Sequence, residues 1–440
     1  MQKKTLSRYW LIIGVVALAI AGLYSLVLAG GRSPKIGDSS LLHRLFHEAL
    51  VIHVDLSVLV WFLAIACLIW SMAMQGKRQV LPYLEEGALI CFALATAAIT
   101  LSPLDPAGRA MMSNYIPVIY SPIFFFGLML IFCGTALMVL KFLFSSCDEP
   151  PQLPFALSGA AMITLVALVA FVWSLALMPD IIEGEQYYDM AFWGGGHILQ
   201  FTHTQMMMVA WIALAGTAFG YAPRGRFIAS VFLIGVAAVA VSPLPYLLFD
   251  ITSMEFRDFF TNQMIIAGGI APMLLLLAML PKLLPSLLQR HAQTRAFRGA
   301  LIMSVVLFLY GGFLGLLIQG QNVVIPAHYH GSIVGVTLAF MGYAYLMLPR
   351  LGYADVSGWK SAWLQPYIYG IGQIMHVSGF AWSGGYGALR KTPGGTYEGT
   401  AQIAMGLMGG GAGLAAIGGL MFVIVVARSV MLSRKNITPM

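Results

Sequence analysis

Charged side chains are scarce in this sequence. Only 9% of its 440 residues are Asp, Glu, Lys or Arg, while 59% are hydrophobic, and an ordinary soluble domain is roughly 25% charged. This shortage of charge excludes a soluble globular protein. The net charge of +7 does not require a nucleic-acid partner, because the basic residues are distributed in a way that a membrane explains.

Cysteine motifs are also absent. The four cysteines are scattered and form no CxxC or CxxCH pattern: Cys67, Cys91, Cys133 and Cys147. This spacing excludes a disulfide framework, a zinc knuckle and a c-type heme attachment site. The sequence also has no glycine-rich phosphate loop and no polar stretch long enough for an extramembranous domain.

The chain does contain twelve long apolar stretches separated by short polar segments. A helix that crosses a bilayer needs roughly 20 apolar residues, so each stretch is predicted to cross once. We predict an all-α fold, a twelve-helix transmembrane bundle forming a single domain over 1–440. The predicted spans are 10–30, 50–75, 84–103, 117–144, 154–178, 190–220, 226–249, 262–286, 297–319, 328–349, 361–384 and 400–428.

Lysine and arginine are distributed unevenly between alternate loops. If the N-terminus is cytoplasmic, seventeen of the 24 basic residues lie on the cytoplasmic side and seven on the outer side. Basic residues accumulate in cytoplasmic loops. Both termini are therefore predicted to be cytoplasmic, and the expected location is a bacterial-type inner (plasma) membrane.

Histidines concentrate toward the predicted outer face, in the outer halves of several helices: His53, His197, His203, His328, His330 and His376. An unpaired ionisable side chain in a membrane costs several kcal/mol, and imidazole is the commonest metal ligand. Residues two apart on a helix point about 200° away from each other. His328 and His330 could therefore ligate two separate cofactors, or each could make ordinary hydrogen bonds at the helix start.

This histidine arrangement resembles subunit I of the heme-copper oxidase superfamily, which includes oxygen reductases and nitric oxide reductases on a twelve-helix core. The resemblance implies two hemes, of b type, toward the outer face. It implies that His53 and His330 are the axial ligands of a low-spin heme, that His328 is the proximal ligand of a high-spin heme, and that His197 ligates a second metal, copper or non-heme iron.

One further segment enters this resemblance, and a glycine run bears on it. Arg390 and Lys391, after the predicted helix 361–384, resemble two basic residues that contact heme propionates, with which they would form charge-assisted hydrogen bonds. The run Gly194-Gly195-Gly196 before His197 permits close approach. That approach suits either a bulky macrocycle or ordinary helix packing in a membrane.

The sequence departs from the family at the second metal, because it contains no His-His pair. By spacing, Pro245-Tyr246 stand there, and by local pattern Arg257-Asp258 do. One histidine cannot hold copper or non-heme iron well. Three alternatives stay open: the metal is absent, the pocket has another task, or substitute ligands come from His203, Gln200, Tyr246, Asp250 or Asp258.

Proton supply differs as well. Phe201 replaces the redox tyrosine of one oxygen-reductase branch, so Tyr246 is the catalytic candidate beside His197. Glu85 and Glu86 are interpreted as loop-edge charges, with no lysine or glutamate deeper in the inner halves of the helices. This pattern argues against proton uptake from inside. Acidic residues instead collect on the predicted outer side, a pattern that resembles nitric oxide reductases, which take protons from that side.

The sequence thus predicts a heme-dependent terminal oxidoreductase of a respiratory or denitrification complex. It would reduce nitric oxide or oxygen with electrons from a cytochrome c or cupredoxin-like donor subunit, with a slight preference for nitric oxide. One alternative is a non-catalytic electron-transfer or sensor relative that kept hemes and lost the second metal. A less favoured one is a heme-free transporter whose histidines line a substrate path.

Overall fold

The computed structural model describes residues 2–31, 45–74, 81, 83–145, 152–286, 292–318, 323–384 and 399–435. Eleven helical segments within these ranges are long and apolar enough to cross a membrane. The remaining predicted span, 361–384, is also a long helix, Lys360–Gly384, but its composition is more polar. The predicted all-α membrane-protein fold is therefore confirmed.

The elements follow the chain in a simple order. They are α1 (Gln2–Gly31), α2 (Phe46–Val54), a π-helical segment (Asp55–Val60), α3 (Trp61–Ala73), α4 (Tyr83–Leu101), a 3-10 turn (Ser102–Leu104), β1 (Ala110–Met111), β2 (Val118–Ile119), α5 (Pro122–Leu143), α6 (Gln152–Leu177), α7 (Gly184–Phe219), α8 (Arg226–Ala240), α9 (Pro243–Leu248), α10 (Met254–Ala267), α11 (Ile270–Ser286), a 3-10 turn (Ala292–Thr294), α12 (Arg295–Gly315), α13 (Val324–Arg350), α14 (Lys360–Gly384) and α15 (Gly399–Lys435).

The structure refines three predicted spans. The span predicted from residue 117 begins at Pro122 instead, because β1 and β2 form a short antiparallel hairpin in which Ala110 pairs with Ile119. The spans 226–249 and 262–286 are each broken into two helices, α8 with α9 and α10 with α11. Proline at the start of α9 and the pair Gly268-Gly269 account for these breaks, because neither residue type favours a continuous helix.

The described chain divides into two compact units. The first comprises Met1–Ala17, Val54–Val209 and Pro223–Pro281, and the second comprises Leu18–His53, Ala210–Ala222 and Lys282–Met440. Large apolar side chains are exposed in both, such as Leu23, Ile265 and Leu420, which are 65%, 63% and 60% exposed. Outward apolar side chains at this density suit lipid. The single domain over 1–440 with cytoplasmic termini stays a prediction.

Helices of the second unit pack through glycine. A Cβ atom on Gly331 would lie 2.5 Å from Cα of Gly311, and one on Gly411 would lie 2.3 Å from the backbone nitrogen of His376. Small residues let helix backbones approach closely in membranes. The α12–α13 and α14–α15 pairs are therefore in backbone contact near the histidines that they carry.

Candidate functional site

Four histidines of the second unit make the same hydrogen bond. Their Nδ1 atoms lie 2.8 to 2.9 Å from backbone carbonyl oxygens: His53 with Ala21, His328 with Gly311, His330 with Pro326 and His376 with Met408. A carbonyl only accepts, so each Nδ1 carries the hydrogen and each neutral ring has its lone pair on Nε2. Metal-ligating histidines typically have this second hydrogen bond, which fixes the tautomer and the ring orientation.

His328 is held by the close packing of α12 and α13. The ring packs directly against Gly315. A Cβ atom on Gly315 would be only 2.7 Å from Nδ1 of His328, so the ring needs a glycine at this position. One turn earlier, Gly311 approaches Gly331 and supplies its carbonyl oxygen to His328 at 2.8 Å. Two glycines spaced at i and i+4 on α12 thus determine both the place and the tautomer of this ring.

His330 faces a different helix. Its ring centroid lies 5.2 Å from that of His376 on α14, and Phe380 lies 4.6 Å from His376 in the same group. Around them packs an apolar cluster that includes Leu314 and Val377. His328 thus contacts α12 and His330 contacts α14, and the prediction that these two rings point to opposite sides of α13 stays a prediction.

The contact between His330 and His376 was not predicted. The sequence placed His376 in the outward half of its helix without a role, since residues 46 positions apart show no periodic relation. The structure places the imidazole of His376 beside that of His330, a predicted heme ligand, and both rings have the same tautomer. His376 therefore joins His53 and His330 as a candidate for the low-spin site.

His53 is the last residue but one of α2, which ends at Val54. The next six residues, Asp55–Val60, form a π-helical segment, a feature found frequently at functional sites. The structure assigns Nδ1 of His53 to the carbonyl of Ala21, and Oδ2 of the buried Asp55 has no hydrogen-bond partner.

His197 lies in the first unit and is 3% exposed. Its Nδ1 is 2.8 Å from the carbonyl oxygen of Trp193, and its Nε2 is 2.8 Å from the hydroxyl oxygen of Tyr115. Because Nδ1 must donate to the carbonyl, Nε2 accepts and the Tyr115 hydroxyl donates. Both nitrogens of the predicted second-metal ligand are thus engaged by the protein.

Tyr115 was missed by the sequence reasoning, since it falls in a connection between predicted helices. It stands between β1 and β2, and Asn114 beside it donates from its backbone and side-chain nitrogens to Asp189 at 2.6 and 3.0 Å. Burial raises the pKa of the Tyr115 phenol above 10; the Asp189 charge adds to this rise and Arg257 opposes it. The phenol therefore keeps its hydrogen and acts as a donor.

The glycine run before His197 accommodates aromatic rings of the protein. Added Cβ atoms would lie 2.2 Å from the Tyr246 hydroxyl at Gly194, 2.5 Å from the Phe171 ring at Gly195 and 2.5 Å from the Tyr115 ring at Gly196. Of the two interpretations that the sequence left open, close packing is the one observed.

Tyr246, the predicted catalytic tyrosine, stands on the short helix α9. Its hydroxyl donates to the carbonyl of Ala170 at 3.2 Å and lies 2.9 Å from Oγ of Ser174, and its ring stacks on Trp173 with centroids 4.9 Å apart. The hydroxyl is thereby anchored to α6. A catalytic role for Tyr246 stays a prediction.

The His and Asp side chains considered as substitute ligands for the second metal do not form a cluster. Asp250 is exposed and bonds to Thr252 two residues on, and Asp258 is exposed too. His203 packs its ring against Phe62, with centroids 5.0 Å apart, and its buried Nδ1 has no hydrogen-bond partner. Across the described ranges, no three His, Cys, Asp or Glu side chains are arranged to hold a metal ion.

The interpretation of Glu85 as a loop-edge charge was wrong. Glu85 is 1% exposed, and its Oε2 accepts from the ammonium group of Lys141, which is fully buried. Its Oε1 accepts from Ser71 at 2.5 Å and from Trp10 at 3.2 Å. The lysine lies 56 positions away on another helix, so the sequence alone could not pair them. Glu86, its neighbour, is exposed as expected.

Arg390 and Lys391 lie outside the residues that the structure describes. Their pairing with heme propionates therefore stays a prediction from the resemblance.

No family model matches the chain, but full-length comparisons are informative. An uncharacterized protein of Rickettsia prowazekii (strain Madrid E) is 30% identical, with 97% of this chain and 96% of that protein covered. An uncharacterized protein of Aquifex aeolicus (strain VF5) is 26% identical, with 79% and 86% covered.

Among solved structures, a chain of a heme-copper terminal oxidase dimer determined by cryo-EM superposes with a TM-score of 0.70. It is 16% identical, and the match covers 100% of this chain and 85% of the other. At that identity the likeness shows the fold. The chain thus has the fold of a heme-copper terminal oxidase subunit and belongs to the same protein family as the uncharacterized Rickettsia prowazekii protein.

Proposed function

We propose that this protein is a heme-binding oxidoreductase subunit that reduces a diatomic gas, nitric oxide or oxygen, in a bacterial inner membrane. The observation that carries the proposal is the shared hydrogen bond of the second unit's histidines. In each, a backbone carbonyl holds Nδ1–H and leaves the lone pair on Nε2. This donor chemistry fits axial ligation of heme iron.

His53 and His330 would hold the low-spin heme, and His328 the high-spin heme. The contacts of His328 and His330 with different helices support two separate cofactors on α13. When bound, the hemes supply electron transfer and a coordination position for the gas. The residues of this chain fix the ring tautomers, exclude water with the apolar cluster around Val377 and Phe380, and hold His328 at a glycine-lined contact with α12.

Nitric oxide is the preferred substrate. Phe201 stands where one oxygen-reductase branch has its redox tyrosine, and the one buried glutamate at the inner ends of the described helices, Glu85, is committed to Lys141, Ser71 and Trp10. Both oxygens of that carboxylate are engaged, which disfavours a role in proton uptake from inside. Electrons would come from a separate donor subunit, cytochrome c or cupredoxin-like, because the chain has no c-type heme motif.

A second function has one specific observation in its favour. The Nε2 atom of His197 accepts from Tyr115, and a subunit without a second metal could serve as an electron-transfer or sensor subunit without reducing a gas. In that case the protein would bind both hemes and turn over neither gas.

The test is an optical spectrum of the purified full-length protein. Dithionite-reduced protein is recorded with and without carbon monoxide, and heme content is measured as the pyridine hemochrome. Two b-type hemes, one of which shifts with carbon monoxide, are expected. A colourless protein would overturn the proposal and favour the transporter. Two hemes with no turnover of nitric oxide or oxygen, given a chemical reductant, would favour the electron-transfer relative.

A further inference from the structure

The hairpin between α4 and α5 places the hydroxyl group of Tyr115 against His197 on α7. Strands β1 and β2 pair in antiparallel register, and Asn114 clamps the connection to Asp189 through two hydrogen bonds. Tyr115 follows directly, and its ring lies against Gly196, where any larger residue would collide with it. The hydroxyl reaches Nε2 of His197 at 2.8 Å.

The result is a directed chain of hydrogen bonds. Tyr115 donates to Nε2 of His197, and Nδ1 of His197 donates to the carbonyl of Trp193. The ring centroids of Tyr115 and Trp193 lie 4.6 and 4.8 Å from the centroid of the His197 imidazole. Within this arrangement His197 offers a lone pair to a metal only if the Tyr115 hydroxyl leaves, which would break a buried hydrogen bond.

The surrounding charge also disfavours a metal cation. The Arg257 guanidinium carbon lies 4.4 Å from the centroid of the Trp193 ring that contacts His197, so a fixed positive charge stands one aromatic ring away from the imidazole. Asp189, an acidic group that contacts the hairpin, is already bound by Asn114. Copper or non-heme iron needs three or more well-placed protein ligands. The groups described here around His197 supply no ligand beyond His197 itself.

We infer that a metal-free Tyr115–His197 pair occupies the place that the superfamily resemblance assigns to the second metal, with Tyr115 as the positioning residue for His197. The inference deepens the proposed function and rests on it for the presence of the hemes. Phenol and imidazole form a neutral hydrogen-bonded pair, so the first unit presents a polar, uncharged group there.

Metal analysis tests the first half of this inference. Total copper, iron, zinc and manganese are measured on the purified full-length protein, before and after incubation with Cu(I) or Fe(II) and dialysis, and heme iron is subtracted. Wild type, His197→Ala and His197→Gln are expected to contain equal, background amounts of copper and non-heme iron. His203→Ala is the matched control, because it removes another buried imidazole of the same helix.

A stoichiometric copper or non-heme iron that is lost in each His197 variant that folds would overturn the inference, and its loss in His203→Ala as well would add His203 to the ligands. The comparison of two substitutions at position 197 keeps the test valid if one of them fails to fold.

Magnetic resonance tests the role of Tyr115. In protein labelled with ¹⁵N in its histidine rings, the signals of His197 are identified by their loss in His197→Gln. Tyr115→Phe is expected to move the Nε2 signal toward that of an imidazole without a hydrogen bond and to leave the Nδ1 signal in place. Tyr120→Phe, an exposed tyrosine just beyond β2, is expected to change neither. An unchanged Nε2 signal in Tyr115→Phe would contradict the pairing.

The two proposals fail in different ways. Protein without heme but with the Tyr115-dependent Nε2 signal would contradict the proposed function and leave the pair intact. Protein with two hemes and a His197-dependent metal would support the proposed function and overturn the inference.

Discussion

Gly315 on α12 lies against the imidazole of His328 on α13, so closely that a Cβ atom on Gly315 would be 2.7 Å from Nδ1 and 2.8 Å from Cε1 of the ring. The carbonyl of Gly311, one turn earlier, holds the same Nδ1. The absence of a side chain at position 315 thus determines where the predicted ligand of the high-spin heme stands.

Gly315→Ala is therefore expected to displace the His328 ring and weaken the gas-binding heme. Overpacking by one methyl group typically costs about 1–3 kcal/mol, so we expect a reduced amplitude of the carbon monoxide difference spectrum with the low-spin heme retained. Gly312→Ala is the matched control, because a Cβ atom there meets nothing within 4 Å. Equal spectra in the two variants would contradict this role for Gly315.

Replacing His328 itself gives a sharper separation of the two hemes. His328→Ala is expected to abolish the spectral shift with carbon monoxide and to spare the low-spin heme, because His328 and His330 contact different helices. The measurement is the reduced spectrum at low temperature with and without carbon monoxide. Loss of both hemes together in well-folded protein would mean that the two histidines do not serve separate cofactors.

The low-spin heme is expected to disappear in His53→Ala and in His330→Ala, since bis-histidine ligation needs both imidazoles. His376→Ala is the informative companion. Its ring packs 5.2 Å from that of His330, so we expect a shifted low-spin band and retained heme. The low-spin electron paramagnetic resonance signal measures the ligation. A spectrum lost in His376→Ala and kept in His53→Ala would assign the second axial position to His376.

Features that depend on local sequence could be predicted, and contacts between distant residues could not. Most of the long helices followed from hydropathy, and the contacts of His328 and His330 with different helices are consistent with helix geometry; both are local properties. The Tyr115–His197 bond, which joins residues 82 positions apart, could not be predicted, because Tyr115 lies in a connection without periodicity. The glycines before His197 signalled a close approach, yet glycine alone does not identify the group that approaches.

Lys141 and Glu85 form an ion pair inside the first unit. Both are buried, and their pair ties α5 to α4, while Ser71 and Trp10 extend the network to α3 and α1. Removing one member of a buried ion pair leaves an uncompensated charge, which costs about 3–5 kcal/mol, whereas replacing both with apolar residues is often neutral.

Thermal unfolding in detergent should therefore show a large loss of stability for the Lys141→Met variant and a recovery in the double variant Lys141→Met with Glu85→Leu. Glu86→Gln, at the exposed neighbour, is the control and should stay within about 0.5 kcal/mol of wild type. A double variant as unstable as Lys141→Met alone would show that the network stabilises the unit by hydrogen bonds to Glu85 rather than by balancing the charge of Lys141.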